Sequence, residues 1–200
     1  MGLSCLRYMI GMEQIKTSHI KNVWKVSTGL WRGGQPDEEG LLELKQLGIK
    51  TVMCLRFRTS IIDWERTACE RIGLKFISIP LNYTTLPHAP HIERFFSIVD
   101  DAGNQPVYVH CFHGSDRTGL MLGIYRISRD GWTVQNAYTE MKKCGFHRFR
   151  IRPFKWWLWN YYAHFLSEQK KENLARQLEE IVDAPVANQV DSRSQALESN

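Results

Sequence analysis

Cys111 and Arg117 are separated by five residues, Phe112-His113-Gly114-Ser115-Asp116, and are followed by Thr118 and Gly119. A cysteine attacks as the thiolate, not as the thiol. A guanidinium is a planar fork that grips two oxygens of one anion. A connection of this length can curl until its backbone N–H groups converge on one centre, and Gly114 relieves the tight curvature. A helix starting at its end would add unpaired N–H groups and a positive dipole end. Phe112, His113, Gly114, Ser115, Asp116, Arg117 and Thr118 are therefore candidates for cradling a tetrahedral oxyanion. Cys111 is the candidate nucleophile, and Arg117 the clamp for charge in a pentacoordinate transition state. The Thr118 hydroxyl is placed to donate to the thiolate, and His110 to support the loop through its ring nitrogens. The plain alternative, a buried inert thiol, leaves Gly114, Arg117 and Thr118 unexplained as a set.

These residues need a strand before them and a helix after them. Pro106 to Val109 reads as a strand, and a helix is expected over about residues 118 to 130. Upstream, short strands are expected at Val23 to Val26 and Gly29 to Trp31. A turn at Gly33-Gly34-Gln35-Pro36-Asp37 leads into a helix carrying Leu41, Leu42, Leu44 and Leu47, which Gly48 ends. A strand at Lys50 to Leu55, a helix from Ile61 to Ile72 closed by Gly73, and a strand at Leu74 to Ile79 follow. Pro80 to Pro90, with three prolines and no periodicity, reads as a loop before a helix at Ile92 to Asp101. Helices at 133 to 143 and 153 to 181, the latter as one or two, complete the pattern. Strands alternating with helices imply an α/β fold with a central, mostly parallel sheet flanked by helices. Ligands of such sheets bind at the carboxyl ends of the strands, which is where Cys111 falls.

The chain has 200 residues, 43% of them hydrophobic, enough for one domain with a real core. The expected division is an N-terminal extension over 1–20, a catalytic domain over 21–168, and a C-terminal helix with a disordered tail over 169–200. A net charge of +5 suits an anionic partner without naming it. Five cysteines at wide spacing, with no CxxC pair, argue against a structural zinc site and point to a reducing compartment. No apolar run reaches membrane-spanning length, and the N-terminus lacks a basic start and a cleavage site, so a cytoplasmic location is expected.

His110-Cys111-x-x-Gly114-x-x-Arg117-Thr118-Gly119 resembles the signature of the protein tyrosine phosphatase superfamily. Length and surroundings resemble the atypical dual-specificity phosphatases, including bacterial ones. Leu30-Trp31-Arg32-Gly33-Gly34-Gln35-Pro36 and Gly48-Ile49-Lys50-Thr51-Val52 also resemble this family, so the likeness covers residues 23 to 165. It implies a cysteine-phosphatase fold and a residue at Cys111 that attacks phosphorus to form a phosphocysteine, later hydrolysed by water. It implies no metal and no cofactor. Sulfur-transfer and arsenate-reducing enzymes share a Cys-x5-Arg loop, but His110 and the Thr118-Gly119 pair disfavour them.

The resemblance breaks at one point. Relatives carry an Asp general acid about thirty residues before the cysteine. Here Pro80 to His91 contains no Asp or Glu, and Asn82 stands near the expected place. Asp116 is the first candidate to replace it, with a bracing role as its alternative. His88 and His91 are further candidates, and reaction without a protein acid is the last option.

The expected partner is a phosphorylated protein, or an inositol phosphate, with neither nucleic acid nor a membrane. A phosphotyrosine site needs an apolar wall, for which Phe112 and Tyr83 are candidates. An inositol polyphosphate or phosphoinositide needs a basic rim, for which Arg56, Arg58, His113, Lys142, Lys143, His147, Arg148, Arg150 and Arg152 are candidates. A phosphate-binding adaptor is the non-enzymatic alternative. The aromatic run from Phe154 to Tyr162 reads as core packing through Trp156 and Trp159 rather than as a membrane surface.

Overall fold

The computed structural model describes residues 12–82, 86–147 and 152–182. The tail expected over 183–200, Tyr83, Arg148 and Arg150 lie outside the described residues. Six strands form one sheet in the order β1-β2-β3-β6-β4-β5. They are β1 (Glu13–Gln14), β2 (Trp24–Lys25), β3 (Leu30–Gly33), β4 (Thr51–Cys54), β5 (Lys75–Ser78) and β6 (Val107–His110). β3, β6, β4 and β5 run parallel, and β1 and β2 add antiparallel pairs at one edge. The sheet thus has the expected mostly parallel form. β1, which pairs with β2, falls inside the expected extension, and Ile20 from the same stretch is buried in the core.

The helices are α1 (Glu38–Gln46), α2 (Thr59–Ile72), α3 (Ala89–Val99), α4 (Asp116–Ser128), α5 (Val134–Lys143) and α6 (Arg152–Val182). Alternation along the strands sorts the two faces of the sheet. Val52 and Tyr108 face Leu41 and Leu44 of α1 and Ala68 and Cys69 of α2 in one apolar cluster. α4 lies against β6 and is buried along almost its whole length, with α3 and α5 beside it. A buried ion pair, Arg126 Nη2 to Glu140 Oε2 at 2.9 Å, ties α4 to α5.

Three local readings change. α3 starts at Ala89 rather than Ile92, because Pro90 in a first helical turn needs no N–H partner. α4 starts at Asp116, so Asp116 and Arg117 belong to the first turn of a helix. α6 is one continuous helix. Its aromatic start docks differently from expectation: Phe154 and Leu158 are buried, whereas Trp156 is 67% exposed. Leu158 meets α4 at Gly123, where an added Cβ would lie 3.3 Å from both Leu158 δ-carbons.

By their contacts the described residues divide into two units, with the boundary between Tyr162 and Ala163. The second contains the rest of α6, where Lys171 pairs with Glu168 at 2.8 Å.

Leu158→Ala should lower unfolding free energy by about 2–5 kcal/mol, because it leaves a cavity in a fully buried site. Trp156→Ala should change it by under about 0.5 kcal/mol. Urea denaturation of the two variants checks the assignment.

Candidate active site

The parallel strands end in register: Gly33 of β3 and Cys54 of β4 both stand opposite His110 of β6. The next residue, Cys111, therefore leaves the sheet at its carboxyl edge, between two neighbouring strands. Residues 111–115 then turn back into α4. The turn needs Gly114, which has φ +71°; a Cβ there would fall 2.3 Å from the Gly33 carbonyl.

Cys111 is buried, and burial alone pushes its thiol up. The Thr118 hydroxyl, the Thr118 and Gly114 backbone N–H groups and the Arg117 charge all favour the thiolate and hold the group below the ordinary thiol range. Arg117 is itself buried, and its Nη1 donates to the Leu81 carbonyl at 3.2 Å and the Leu55 carbonyl at 3.4 Å. Those carbonyls anchor the guanidinium at the ends of two strands.

While the Gly114 N–H meets the Cys111 sulfur, the loop's carbonyls face the surrounding protein. Each has a donor. His110 Nδ1 lies 3.1 Å from the Cys111 oxygen. The Gln35 N–H donates to Phe112 O at 3.0 Å, and Asn22 Nδ2 to His113 O at 3.1 Å. Arg32 Nη2 donates to Gly114 O at 2.7 Å. Asn22, at φ 61°, also donates to the Cys144 carbonyl and accepts from Trp24 Nε1, so one side chain links the loop to the end of α5. Arg32, Gln35 and Asn22 were not assigned roles from sequence. The Leu30–Pro36 resemblance marked two of them; nothing in the sequence marked Asn22.

His110 is buried, with Nε2 2.8 Å from Glu65 Oε1 on α2. Its two nitrogens meet a carboxylate and a carbonyl, both acceptors, so both nitrogens must donate. Burial works against its charge, but the Glu65 carboxylate outweighs it and raises the imidazole well above its usual range. Burial likewise raises Glu65, and His110 outweighs that and lowers it. His110 thus belongs to a buried ion pair, and its acidic half, Glu65, was not among the residues singled out from sequence.

Asp116 is not open to solvent: its side chain is 3% exposed. Its Oδ1 accepts the His147 backbone N–H at 2.9 Å, and the His147 ring Nδ1 lies 3.0 Å from Oδ2. His91 Nδ1 accepts the His88 backbone N–H at 3.2 Å, so that ring closes the start of α3. Exposed Phe112 (52%) and Phe57 (48%) flank the site. Arg56 stacks on Phe112 at 4.9 Å, and Phe57 lies 5.8 Å from the Arg117 guanidinium. Of the basic candidates, His113 and Lys143 line one cleft beside the loop and the His147 ring meets that of His113, whereas Lys142 lies over Tyr138. One buried trio, Cys54, Glu65 and His110, has metal-ligand residue types, but its imidazole and carboxylate already pair with each other.

This strand–loop–helix site, on this sheet, defines a cysteine-phosphatase fold of the protein tyrosine phosphatase superfamily. Residues 12–155 match the family described as DSP-PTPase phosphatase fused to NAD+ kinase, and the chain belongs to that family. It is similar to the dual specificity protein phosphatase TpbA of Pseudomonas aeruginosa, with 30% identity over 62% of this chain and 55% of TpbA. The crystal structure of TpbA aligns with a TM-score of 0.63 at 24% identity, covering 77% of this chain and 92% of that one. The rice inositol diphosphatase DSP1 is 22% identical over 67% of this chain and 61% of the relative. The catalytic core of the Saccharomyces cerevisiae PP-IP phosphatase SIW14 aligns with a TM-score of 0.62 at 19% identity, covering 79% and 96%. The chain thus spans between half and two thirds of the length of the two curated relatives.

Thr118→Val keeps the shape and removes the hydroxyl. The pH at which Cys111 reaches its half-maximal rate of alkylation by iodoacetamide should move up, since one donor to the thiolate is lost. An unchanged midpoint would remove Thr118 from the set that holds the thiolate.

Proposed function

We propose that the protein is a phosphomonoesterase that hydrolyses phosphotyrosine, and phosphoserine or phosphothreonine, in proteins through a phosphocysteine intermediate. The observation that carries this reading is the depressed Cys111 thiol at the focus of the Gly114 and Thr118 N–H groups and the Arg117 charge. In the first step the Cys111 sulfur forms a bond to phosphorus as the bond to the leaving oxygen breaks. In the second, water attacks phosphorus and the thiolate leaves. Arg117 and the loop N–H groups hold the equatorial oxygens in both steps. The roles proposed for Phe112, His113, Gly114, Ser115 and Thr118 are in the phosphate cradle. His110 braces it, and Asp116 serves proton transfer through its contact with His147. No step calls on a metal or a cofactor.

The exposed rings of Phe57 and Phe112 support a phosphotyrosine ring between them. TpbA has a crystal structure in complex with phosphotyrosine. A second reading, an inositol polyphosphate substrate, is favoured by a cleft of about 800 Å³ beside the loop. His19, Lys21, His113 and Lys143 line it, and Asp37 is its one carboxylate among the described residues. Among the described residues no helix is long and apolar enough to cross a membrane. The four cysteines among the described residues are free, which suits a reducing, cytoplasmic setting.

Phosphotyrosine peptides, phosphoserine peptides and inositol hexakisphosphate should be offered to the purified protein, with Cys111→Ser as control. Phosphate should be released fastest from phosphotyrosine peptides and from nothing by the variant. Faster release from inositol hexakisphosphate would favour the second reading. No release from any of them would leave a phosphate-binding adaptor.

A further inference from the structure

Hydrolysis of an unactivated phosphate ester needs a proton for the leaving oxygen. Residues 80–91, where an acid is expected, contain no Asp or Glu. His91 is engaged at the start of α3. Asp116 is buried, and both of its oxygens lie at His147. His147 itself belongs to the connection after α5 and is 45% exposed. It stands beside the phosphate loop at two points. One is Asp116, the immediate neighbour of Arg117; the other is the His113 ring, whose centroid is 5.9 Å from its own. These are the titratable groups that meet His147 among the described residues.

We infer that the general acid of the proposed phosphatase reaction is His147, with Asp116 as its positioning partner, an inference that rests on the reading in the preceding subsection. The arrangement orients an imidazole by a buried carboxylate. Nδ1–H donates to Asp116, which fixes the ring. Nε2, opposite on the ring, has no partner among the described residues and carries the transferable proton. As Cys111 forms its bond to phosphorus, the P–O bond to the leaving group breaks and that oxygen takes the Nε2 proton. His147 is then neutral, and Asp116 is a carboxylate throughout. In the second step Nε2 takes a proton from water as the water oxygen bonds to phosphorus and the S–P bond breaks. The thiolate and the imidazolium are both restored.

His147 and Asp116 as the acid differ in what substitution of His147 does. His147→Asn should lower kcat for a phosphoserine peptide by about a hundred-fold or more, while kcat for para-nitrophenyl phosphate, whose leaving group needs little protonation, falls only a few-fold. Asp116→Asn should show the same selectivity. Loss on the peptide in Asp116→Asn but not in His147→Asn would overturn the inference in favour of Asp116. Equal losses on both substrates would overturn it in favour of a structural brace. The wild-type protein gives a test that no folding defect can confuse. Its kcat across aryl phosphates should depend weakly on leaving-group basicity, and a steep dependence would overturn the inference. Hydrolysis of none of these substrates by the wild type would instead sink the phosphatase reading as well.

Discussion

A loop that turns its N–H groups toward one anion must turn its carbonyls toward the protein. An unpaired buried carbonyl costs about as much as a lost hydrogen bond, so each needs a donor. The rest of the site follows from this inversion. Four successive carbonyls, from Cys111 to Gly114, meet His110, Gln35, Asn22 and Arg32. Those donors come from β6, from the turn after β3, from the approach to β2, and from β3 itself. The loop is therefore held by the sheet's parallel core and by its antiparallel edge.

The same inversion explains the buried charges. His110 can donate through both nitrogens only as a cation, and Glu65 makes that cation tolerable in a buried place. Arg32 brings a second positive group beneath the loop, and Arg117 a third at its end. Against burial, which favours the neutral thiol, the nearby donors and the Arg117 charge hold the Cys111 thiol below its ordinary range. Structure and reactivity are one arrangement here, since the interactions that shape the loop also set its field.

Much of this was legible in the sequence. The strand ending at His110, the loop and the following helix were readable because Cys111, Gly114 and Arg117 have types that chemistry and curvature demand. Strand and helix alternation gave the sheet. What was not legible depends on long-range contacts. Asn22 is an ordinary polar residue until the fold brings it to His113, and Glu65 looks like one more surface charge on an amphipathic helix. Trp156 misled for the opposite reason: its hydrophobicity suggested core, but Phe154 and Leu158 occupy the face that docks. Asp116 was visible as a candidate, but its engagement with His147 was not, because the two are thirty-one residues apart.

The proposed reaction turns on one chemical event, a covalent bond between Cys111 and phosphorus, which the family and the depressed Cys111 thiol support. Trapping that bond tests it most directly. The protein is mixed with a phosphotyrosine peptide, quenched in acid within one turnover, and digested for mass spectrometry. Phosphate on the peptide containing Cys111, absent from Cys111→Ser, is the predicted result. Turnover with no phosphate on Cys111 at any quench time would contradict it.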